Sequence, residues 1–192
     1  MISKLFAILD LPPADPIAAK LPLLGSAWPI LIILISYLFF VLKCGKLFME
    51  NRQPFNITKI IIWYNLFQVI YNFLTFSAGI YVFFIKPIYN LDCMPTLALD
   101  HPNKNTERAL SYIYFINKII DLLDTIFFVL RKSYKQITGL HVYHHVVMIF
   151  VIYWVVRFYG VGAQFMVMGL LNTFVHTVMY FYYMLSAKVY SS

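Results

Sequence analysis

Long apolar runs separated by short polar stretches dominate the sequence. Five runs approach the roughly 20 mostly apolar residues that a helix needs to cross a bilayer. They cover residues 26–43, 60–85, 109–130, 140–159 and 163–186. None shows the alternation of polar and apolar residues that is typical of a transmembrane β-strand. Because lipid offers the backbone no hydrogen-bonding partner, each run is predicted to be a helix. The pattern therefore predicts an all-α, polytopic transmembrane bundle with five spans.

Composition supports an integral membrane protein, because 61% of the residues are hydrophobic and only 12% are charged. A soluble domain of this length could not bury so much apolar surface. We expect a single membrane domain over residues 1–192. Asp10, Pro12 and Pro13 interrupt the apolar core that a signal peptide requires. Residues 1–25 are therefore predicted to be an irregular or surface-lying N-terminal leader, which lies on the lumenal side in the orientation predicted below.

The basic residues mostly flank the predicted spans and give the chain a formal net charge of +7. Lys and Arg in short loops favour the cytosolic side of a membrane. With the N-terminus outside the cytosol, eight basic residues lie on the cytosolic side and six on the other, so this orientation is predicted. The cytosolic residues either contact lipid headgroups or bind a phosphorylated, acidic substrate. Nucleic acid is not expected as a partner, because these residues do not form one soluble patch.

Polar side chains interrupt the third predicted span. Four of them lie along one helical stripe: Lys118, Asp121, Asp124 and Thr125. Each charge near the bilayer centre costs about 2.5–3.5 kcal/mol on the insertion scale, so this helix needs partners that face the stripe. The stripe either holds the bundle together through a Lys118–Asp121 pair or lines a polar cavity.

The next two spans also carry polar residues on one face. These are His141, His144 and His145 in the fourth span, and Asn172, His176 and Tyr180 in the fifth. A single histidine at such a position is typically a packed polar residue, and an aromatic stripe is usually packing. Three histidines on one face favour a site instead. The polar stripes are buried at least cost when all three face inward, around a shared site near the cytosolic side, where carboxylates orient and charge the imidazoles.

Two chemistries fit such a cluster. The HxxHH spacing is similar to that of membrane di-iron desaturases and hydroxylases, but those enzymes use more histidines than the five in this chain. Alternatively, an imidazole transfers an acyl group, because it is nucleophilic near neutral pH and a neighbouring base activates it. The acyl-imidazole hydrolyses readily, so that chemistry requires a dry site, which a bundle of apolar helices supplies.

Four stretches form an ordered set: MENRQPF at 49–55, KIIDLLDT at 118–125, QITGLHVYHH at 136–145 with HVYHH at its end, and NTFVHTVMYFYY at 172–183. Together they resemble the ELO family of very-long-chain fatty acid elongases. Each motif alone is weak, but the order is highly specific. The resemblance implies a 3-oxoacyl-CoA synthase of the endoplasmic reticulum membrane. Such enzymes condense a long-chain acyl-CoA with malonyl-CoA and release CO2 and CoA, without a metal or other cofactor.

The resemblance also implies residue roles. His144 would be the nucleophile that carries the acyl group, with His141 and His145 as base and orienting partners. His176 would assist at the reacting carbonyl or the malonyl unit. The supporting residues would be Lys118, Asp121, Asp124, Asn172 and Tyr180. The residues expected to attract the CoA phosphates are Arg52, Arg131, Lys132 and Lys135. Other enzymes of the elongation cycle, or further copies of the chain, are expected partners beside the substrates and membrane lipid.

Two features depart from the family pattern. The family usually has Glu at the position of Asp121, so the shorter carboxylate is expected to weaken function. Members generally have seven spans, whereas five are predicted here, so we expect a chain that is incomplete at its C-terminus. An inactive, truncated relative of the elongases is therefore an alternative. The predicted topology places Cys44 and Cys93 on opposite sides of the membrane, where they cannot pair, and the resemblance implies that a partner for Cys93 is missing.

Overall fold

The structure is a computed structural model that describes residues 13–89, 95–160 and 162–189. Every regular element among these residues is helical. The longer helices are α1 (Trp28–Met49), α2 (Thr58–Ile85), α3 (Lys104–Ile120), α4 (Leu122–Leu130), α5 (Gly139–Tyr159) and α6 (Ala163–Val189). Helices α1, α2 and α5 each include one π-helical turn. Short 3-10 turns cover Ala18–Lys20 and Tyr134–Gln136.

The predicted all-α polytopic class is confirmed. Within the described residues, four helices are long and apolar enough to cross a membrane: α1, α2, α5 and most of α6. The third predicted span differs, because it begins at Lys104 and is divided at Asp121 into α3 and α4. At this point the backbone has a 3-10-type hydrogen bond, in which the Asp124 N–H donates to the carbonyl of Asp121, three residues earlier, at 3.2 Å. The division leaves helices of 17 and 9 residues, neither of which is among the four, so a fifth span stays a prediction.

Two groups of helices make up the bundle. Helices α2 and α6 pack along their length, and a Cβ at Gly79 of α2 would lie 2.8 Å from the Leu170 side chain of α6. Helices α1, α3 and α5 share a buried apolar core around Val41, Phe115 and Ile149. Helix α3 contacts both α2 and α5, so its polar stripe lies where the two groups meet.

The described part of the leader, residues 13–25, consists of turns and one 3-10 turn, and it contacts the bundle through the buried residues Asp15, Ala18 and Leu24. Asp15 is buried, and its carboxylate accepts hydrogen bonds from Arg108 Nε at 2.8 Å and from the Ile17 and Ala18 N–H groups. Burial raises the pKa of the Asp15 carboxyl. The hydrogen bonds from Arg108, Ala18 and Ile17 together outweigh this effect, so the pKa lies below its ordinary value. The Asp15–Arg108 ion pair joins the leader to α3. Leu24 of the leader is buried in the apolar core.

A second buried ion pair lies at the same end of the bundle. Lys104 Nζ lies 3.0 Å from Glu107 Oε1, and the Leu97 N–H donates to Glu107 Oε2 at 3.2 Å. Gly160, in the turn between α5 and α6, has φ +72° and lies against both side chains. The Asp15 N–H donates to the carbonyl of Arg157 at 2.9 Å. We call this end, formed by residues 13–25, 95–108 and 157–160, the leader end. Cys93 lies outside the described residues, and Cys44 of α1 is a free thiol.

Candidate functional site

The polar stripes of the predicted third, fourth and fifth spans converge on one cavity of about 370 Å³. We call it the histidine cavity. The predicted site residues that line it are Lys118, Asp121, Asp124, His141, His144, His145 and His176. It lies between α3, α4, α5 and α6, towards the end of the bundle that carries residues 50–59 and 131–138. We call that end the basic end. The inward-facing arrangement expected from helical spacing is thus the one that the structure has.

Asp121 is the centre of the hydrogen-bond network. Its side chain is 1% exposed, and Oδ2 lies 2.7 Å from Lys118 Nζ. Oδ1 accepts from Gln68 Nε2 at 2.7 Å and from the Tyr180 hydroxyl at 3.1 Å. Helices α2, α3 and α6 therefore all supply donors to this one carboxylate, which satisfies a buried charge that would otherwise be costly.

Tyr180 connects the two carboxylates of the stripe. Its hydroxyl lies 2.6 Å from Asp124 Oδ2 and 3.1 Å from Asp121 Oδ1. A hydroxyl has only one hydrogen to donate. We therefore assign the hydrogen bond of Tyr180 to Asp124, which is the closer of the two carboxylates. The buried Tyr180 ring also packs edge-on against His176 and Tyr64, with centroids 5.6 and 5.9 Å apart. The aromatic stripe of α6 is therefore both packing and part of the polar network.

His141 is oriented by two other helices. Its Nε2 lies 2.8 Å from Thr125 Oγ1 of α4, and Thr125 Oγ1 lies 2.9 Å from the Tyr37 hydroxyl of α1. Helix α5 begins here because Thr138 caps it, its Oγ1 accepting from the His141 N–H at 3.1 Å. The cap fixes the register that turns all three histidines of α5 towards the cavity.

The other two histidines of α5 differ in exposure. His145 is buried, and its ring centroid lies 4.5 Å from that of His141. His144 is exposed, and its ring centroid lies 5.9 Å from that of His145. The three imidazoles thus form a row in which only His144 is open to an incoming molecule over much of its surface.

His176 contacts the ion pair of the stripe. Its Nδ1 lies 3.4 Å from Lys118 Nζ and 3.5 Å from Asp121 Oδ2. Asn172, one turn earlier on α6, does not line the cavity, and its buried Oδ1 has no hydrogen-bond partner. Of Asn172 and His176, only His176 therefore lines the histidine cavity.

Helix α2 contributes a polar group that the predicted site does not include. Gln68 contacts Asp121 directly, and Asn72 Nδ2 donates to the Gln68 carbonyl at 2.9 Å. Asn117 Nδ2 of α3 donates in turn to Asn72 Oδ1 at 2.9 Å. Asn65, Gln68 and Asn72 follow an i, i+3, i+7 spacing, so the stripe rule applied to the other spans predicts this face as well.

A second cavity of about 420 Å³ adjoins the first at the basic end, and Asp124, Phe128, Gln136 and Tyr183 line both. Of the predicted CoA-binding residues, Arg131 lines this second cavity. Lys132 Nζ donates to the Glu50 carbonyl at 3.2 Å. The Arg52 guanidinium lies 3.8 Å from the centre of the Phe48 ring, and Lys135 is exposed. All four therefore lie at the basic end, where Arg131 lines the second cavity.

Comparison with known proteins identifies the family. The family model described as "ELO: GNS1/SUR4 family" matches residues 22–192. The chain belongs to this family. Very long chain fatty acid elongase F of Drosophila melanogaster is 43% identical over 175 residues, which are 91% of this chain and 67% of that relative. Very long chain fatty acid elongase 7 of Rattus norvegicus is 39% identical over 178 residues, 91% of this chain and 61% of the relative.

A third relative extends this range. Very long chain fatty acid elongase 7 of Drosophila melanogaster is 37% identical over 174 residues, 91% of this chain and 52% of the relative. This ELO chain thus spans between about half and two thirds of the length of these relatives.

Within the described residues, no group of three or more His, Cys, Asp or Glu side chains has the arrangement of a metal site.

Proposed function

We propose that this ELO chain condenses a long-chain acyl-CoA with malonyl-CoA, giving a 3-oxoacyl-CoA, CO2 and free CoA. The observation that supports this proposal is the row of imidazoles on α5 facing a buried lysine–carboxylate network in one cavity. A nucleophile and a set of charged side chains then lie around one space, as two-step acyl transfer requires. The names of the relatives, very long chain fatty acid elongases, favour the same reaction.

His144 is the proposed nucleophile. The Nε2 atom of His141 is already in contact with Thr125, and His145 is buried, whereas His144 is exposed to the cavity. In the first step an imidazole nitrogen attacks the thioester carbon, the C–S bond breaks, and CoA leaves as a thiol after taking up the imidazole proton. His141 and His145 relay that proton and hold the ring in place.

The second step forms the carbon–carbon bond. Malonyl-CoA loses CO2, and the electron pair of the broken C–C bond becomes an enolate of acetyl-CoA. The enolate carbon attacks the acyl carbon on His144, the C–N bond breaks, and 3-oxoacyl-CoA leaves. The released imidazole takes up one proton from solvent, which replaces the proton that CoA removed in the first step. Lys118 Nζ and His176 Nδ1 are in contact at 3.4 Å in the wall of the cavity, where the ammonium and the imidazole would stabilise the enolate oxygen.

The substrate would lie along the bundle axis. CoA phosphates would contact Arg131 and its basic neighbours at the basic end, and the pantetheine arm would pass through the cavity that adjoins the histidines. The acyl tail would pass Met148, which lines both the histidine cavity and a small apolar cavity of about 60 Å³ between α3, α5 and α6. A polar-to-apolar gradient of this kind matches a molecule with a charged head and a hydrocarbon tail.

The proposal also includes location and partners. The chain would lie in the endoplasmic reticulum membrane with its N-terminus in the lumen, so that the basic end faces cytosolic acyl-CoA. Other enzymes of the elongation cycle, or further copies of the chain, would be its protein partners. The reaction as written uses no metal or cofactor, and metal analysis of the purified protein tests the metal-dependent oxidase alternative: stoichiometric iron or zinc would favour it.

The test is an extension assay on the 192-residue chain. Membranes from elongase-deficient cells that express it are given labelled malonyl-CoA and a panel of acyl-CoAs. We expect malonyl-dependent product from the wild type and none from His144→Ala. Tyr143→Phe, an exposed neighbour on α5, is the matched control and should retain activity. Product from His144→Ala would refute the assigned nucleophile.

A second measurement separates the chemistry from turnover. Without malonyl-CoA, the first step should stop at the acyl-imidazole, so mass spectrometry of the peptide that contains residues 139–150 should show the added acyl group. The adduct should be absent from His144→Ala. A wild-type chain that forms neither adduct nor product would favour the alternative of an inactive relative of the elongases.

A further inference from the structure

Gln68 lies within the apolar span α2 and is fully buried. We propose that Gln68 is a positioning residue that fixes the Asp121 carboxylate against Lys118 and His176. Gln68 does not line the histidine cavity, so it would act on the reaction only through Asp121. This inference rests on the proposed function.

The hydrogen-bond network allows Gln68 one orientation. Asn72 Nδ2 donates to the backbone carbonyl of Gln68 at 2.9 Å and to its side-chain oxygen, Oε1, at 3.3 Å. Asn72 is itself fixed as the donor, because its Oδ1 accepts from Asn117 Nδ2. Gln68 Oε1 therefore faces Asn72, and Nε2 faces the carboxylate. A flipped amide would place two oxygen acceptors against each other in a buried site, which is unfavourable.

The amide group is used completely. Gln68 Nε2 donates to the Tyr64 hydroxyl at 3.1 Å and to Asp121 Oδ1 at 2.7 Å, which uses both of its hydrogens. Tyr64 is positioned by its own bond to the Ile120 carbonyl at 3.3 Å. A fully bonded amide in the interior of an apolar bundle is rigid as well as satisfied. Helix α2 thus presents a fixed donor to the carboxylate.

Gln68 determines which way the carboxylate points. Lys118 binds Oδ2 at 2.7 Å, and Gln68 binds Oδ1 at the same distance. Two short contacts on different oxygens fix the plane of the carboxylate. The other donor to Oδ1, the Tyr180 hydroxyl, is closer to Asp124. Without Gln68, Oδ1 would depend on a hydroxyl that is already engaged, and Oδ2 would turn away from His176.

The reach of Gln68 also matches the length of Asp121. The short aspartate side chain contacts α2 because a glutamine, and not a shorter asparagine, extends from the opposing helix. The combined length of the two side chains closes the gap between α2 and α3 with a contact of 2.7 Å.

The test exchanges one methylene across this contact. Gln68→Asn shortens the amide, Asp121→Glu lengthens the carboxylate, and the double variant restores the summed length. We expect each single variant to lower kcat by about ten- to a hundredfold, the effect of losing one hydrogen bond to a charge. The KM for acyl-CoA should stay within about twofold, because CoA binds elsewhere. The double variant should recover to within about fivefold of wild type.

Ser77→Ala is the matched control. Ser77 is exposed on the same helix and its hydroxyl bonds the Phe73 carbonyl, so kcat should be unchanged. A structural role alone would lower the melting temperature of the single variants and leave kcat per folded molecule at the wild-type value. That result, or additive losses of kcat in the double variant, would overturn the proposal.

A reactivity measurement separates failure of this inference from failure of the proposed function. The rate at which diethyl pyrocarbonate modifies His176 needs no turnover. We expect the modification rate of His176 to rise about tenfold in Gln68→Asn, which is the factor for the loss of one hydrogen bond to a charged group. In the double variant the rate should return to the wild-type value. A wild-type chain without extension activity would refute the proposed function, and the reactivity cycle would still decide the role of Gln68. Equal His176 rates in all four proteins would refute it.

Discussion

The stretch from Lys104 to Asp121 carries two lysine–carboxylate pairs of the same kind. Lys104 and Glu107 are 3.0 Å apart at the leader end, and Lys118 and Asp121 are 2.7 Å apart in the histidine cavity. Both pairs have i, i+3 spacing, and all four side chains are at most 4% exposed. Sequence spacing and burial therefore do not distinguish them.

Their surroundings do distinguish them. Glu107 accepts from the backbone N–H of Leu97 and is covered by Gly160, so the pair ties a loop and a turn to α3. Asp121 is bound by side chains from α2 and α6 and lies beside a cavity and four histidines. The contacts of the leader-end pair with backbone groups favour a structural role for it. The cavity pair lines an open space together with four imidazoles, which favours a role in chemistry.

Removing the lysine of the leader-end pair should cause the largest change in stability. Lys104→Met leaves Glu107 buried without its cation, and losing one partner of a buried pair costs about 3–5 kcal/mol. Activity per folded molecule should be unchanged. Thermal unfolding in detergent and the extension assay on the folded fraction measure the two effects. A loss of kcat as large as the loss of stability would contradict the comparison.

Removing the lysine of the cavity pair should act on the reaction. Lys118→Met deletes the cation beside His176, and the loss of one such electrostatic group lowers kcat by about a hundred- to a thousandfold. Stability should fall less than in Lys104→Met, because Gln68 Nε2 still donates to Asp121 at 2.7 Å. Kinetics and unfolding of the two methionine variants, measured side by side, test this reversal. The same pattern in both variants would show that the pairs are equivalent.

Gly160→Ala sharpens the comparison without removing a charge. Gly160 has φ +72°, and a Cβ there would lie 2.5 Å from Glu107 Oε1 and 2.6 Å from Lys104 Nζ. With ψ at 169°, this positive-φ conformation is one that essentially only glycine adopts, so a side chain there costs about 1–3 kcal/mol, and displacement of the pair adds to it. We expect a lower melting temperature with unchanged kcat. Gly139→Ala is the control, because nothing lies within 4 Å of the Cβ position there.

The helices and the histidine cavity were predictable because their signals are local. Apolar runs give the spans, and the i, i+3, i+4 spacing places three histidines on one face of α5. The same rule would have found Gln68, since Asn65 and Asn72 lie on its face of α2. Amides in an apolar run attract less attention than charges, although the cost of burying them points to partners in the same way.

The leader end was not predictable from spacing. Asp15 and Arg108 are 93 residues apart in sequence, and no local pattern says that a carboxylate in a proline-containing leader meets a guanidinium at the start of α3. The division of the third span at Asp121 is also a tertiary effect, because side chains from α2 and α6 bind the residue at which the helix tightens. Roles of the site residues stay predictions that kinetics decide.

The smallest effect concerns the pH dependence of the leader end. The pKa of Asp15 lies below its ordinary value in the folded protein. The stability that it contributes is therefore fully present above the unfolded pKa of about 3.9, and it is lost as the pH falls through the lower, folded pKa. At pH 7, Asp15→Asn should unfold at a lower temperature than wild type.

The difference between wild type and Asp15→Asn isolates this carboxyl from every other acidic group. It should be constant from pH 7 to about pH 5 and shrink as the pH falls below about 4, because the wild-type carboxylate then gains the proton that the amide already mimics. Melting temperatures of both proteins across that range measure it. Kinetics over the neutral range should not differ between them, since Asp15 contacts Arg108 at the leader end and not the histidine cavity. A difference that grows on acidification would reverse the assigned sign, and a change in kcat would show that the two ends of the bundle are coupled.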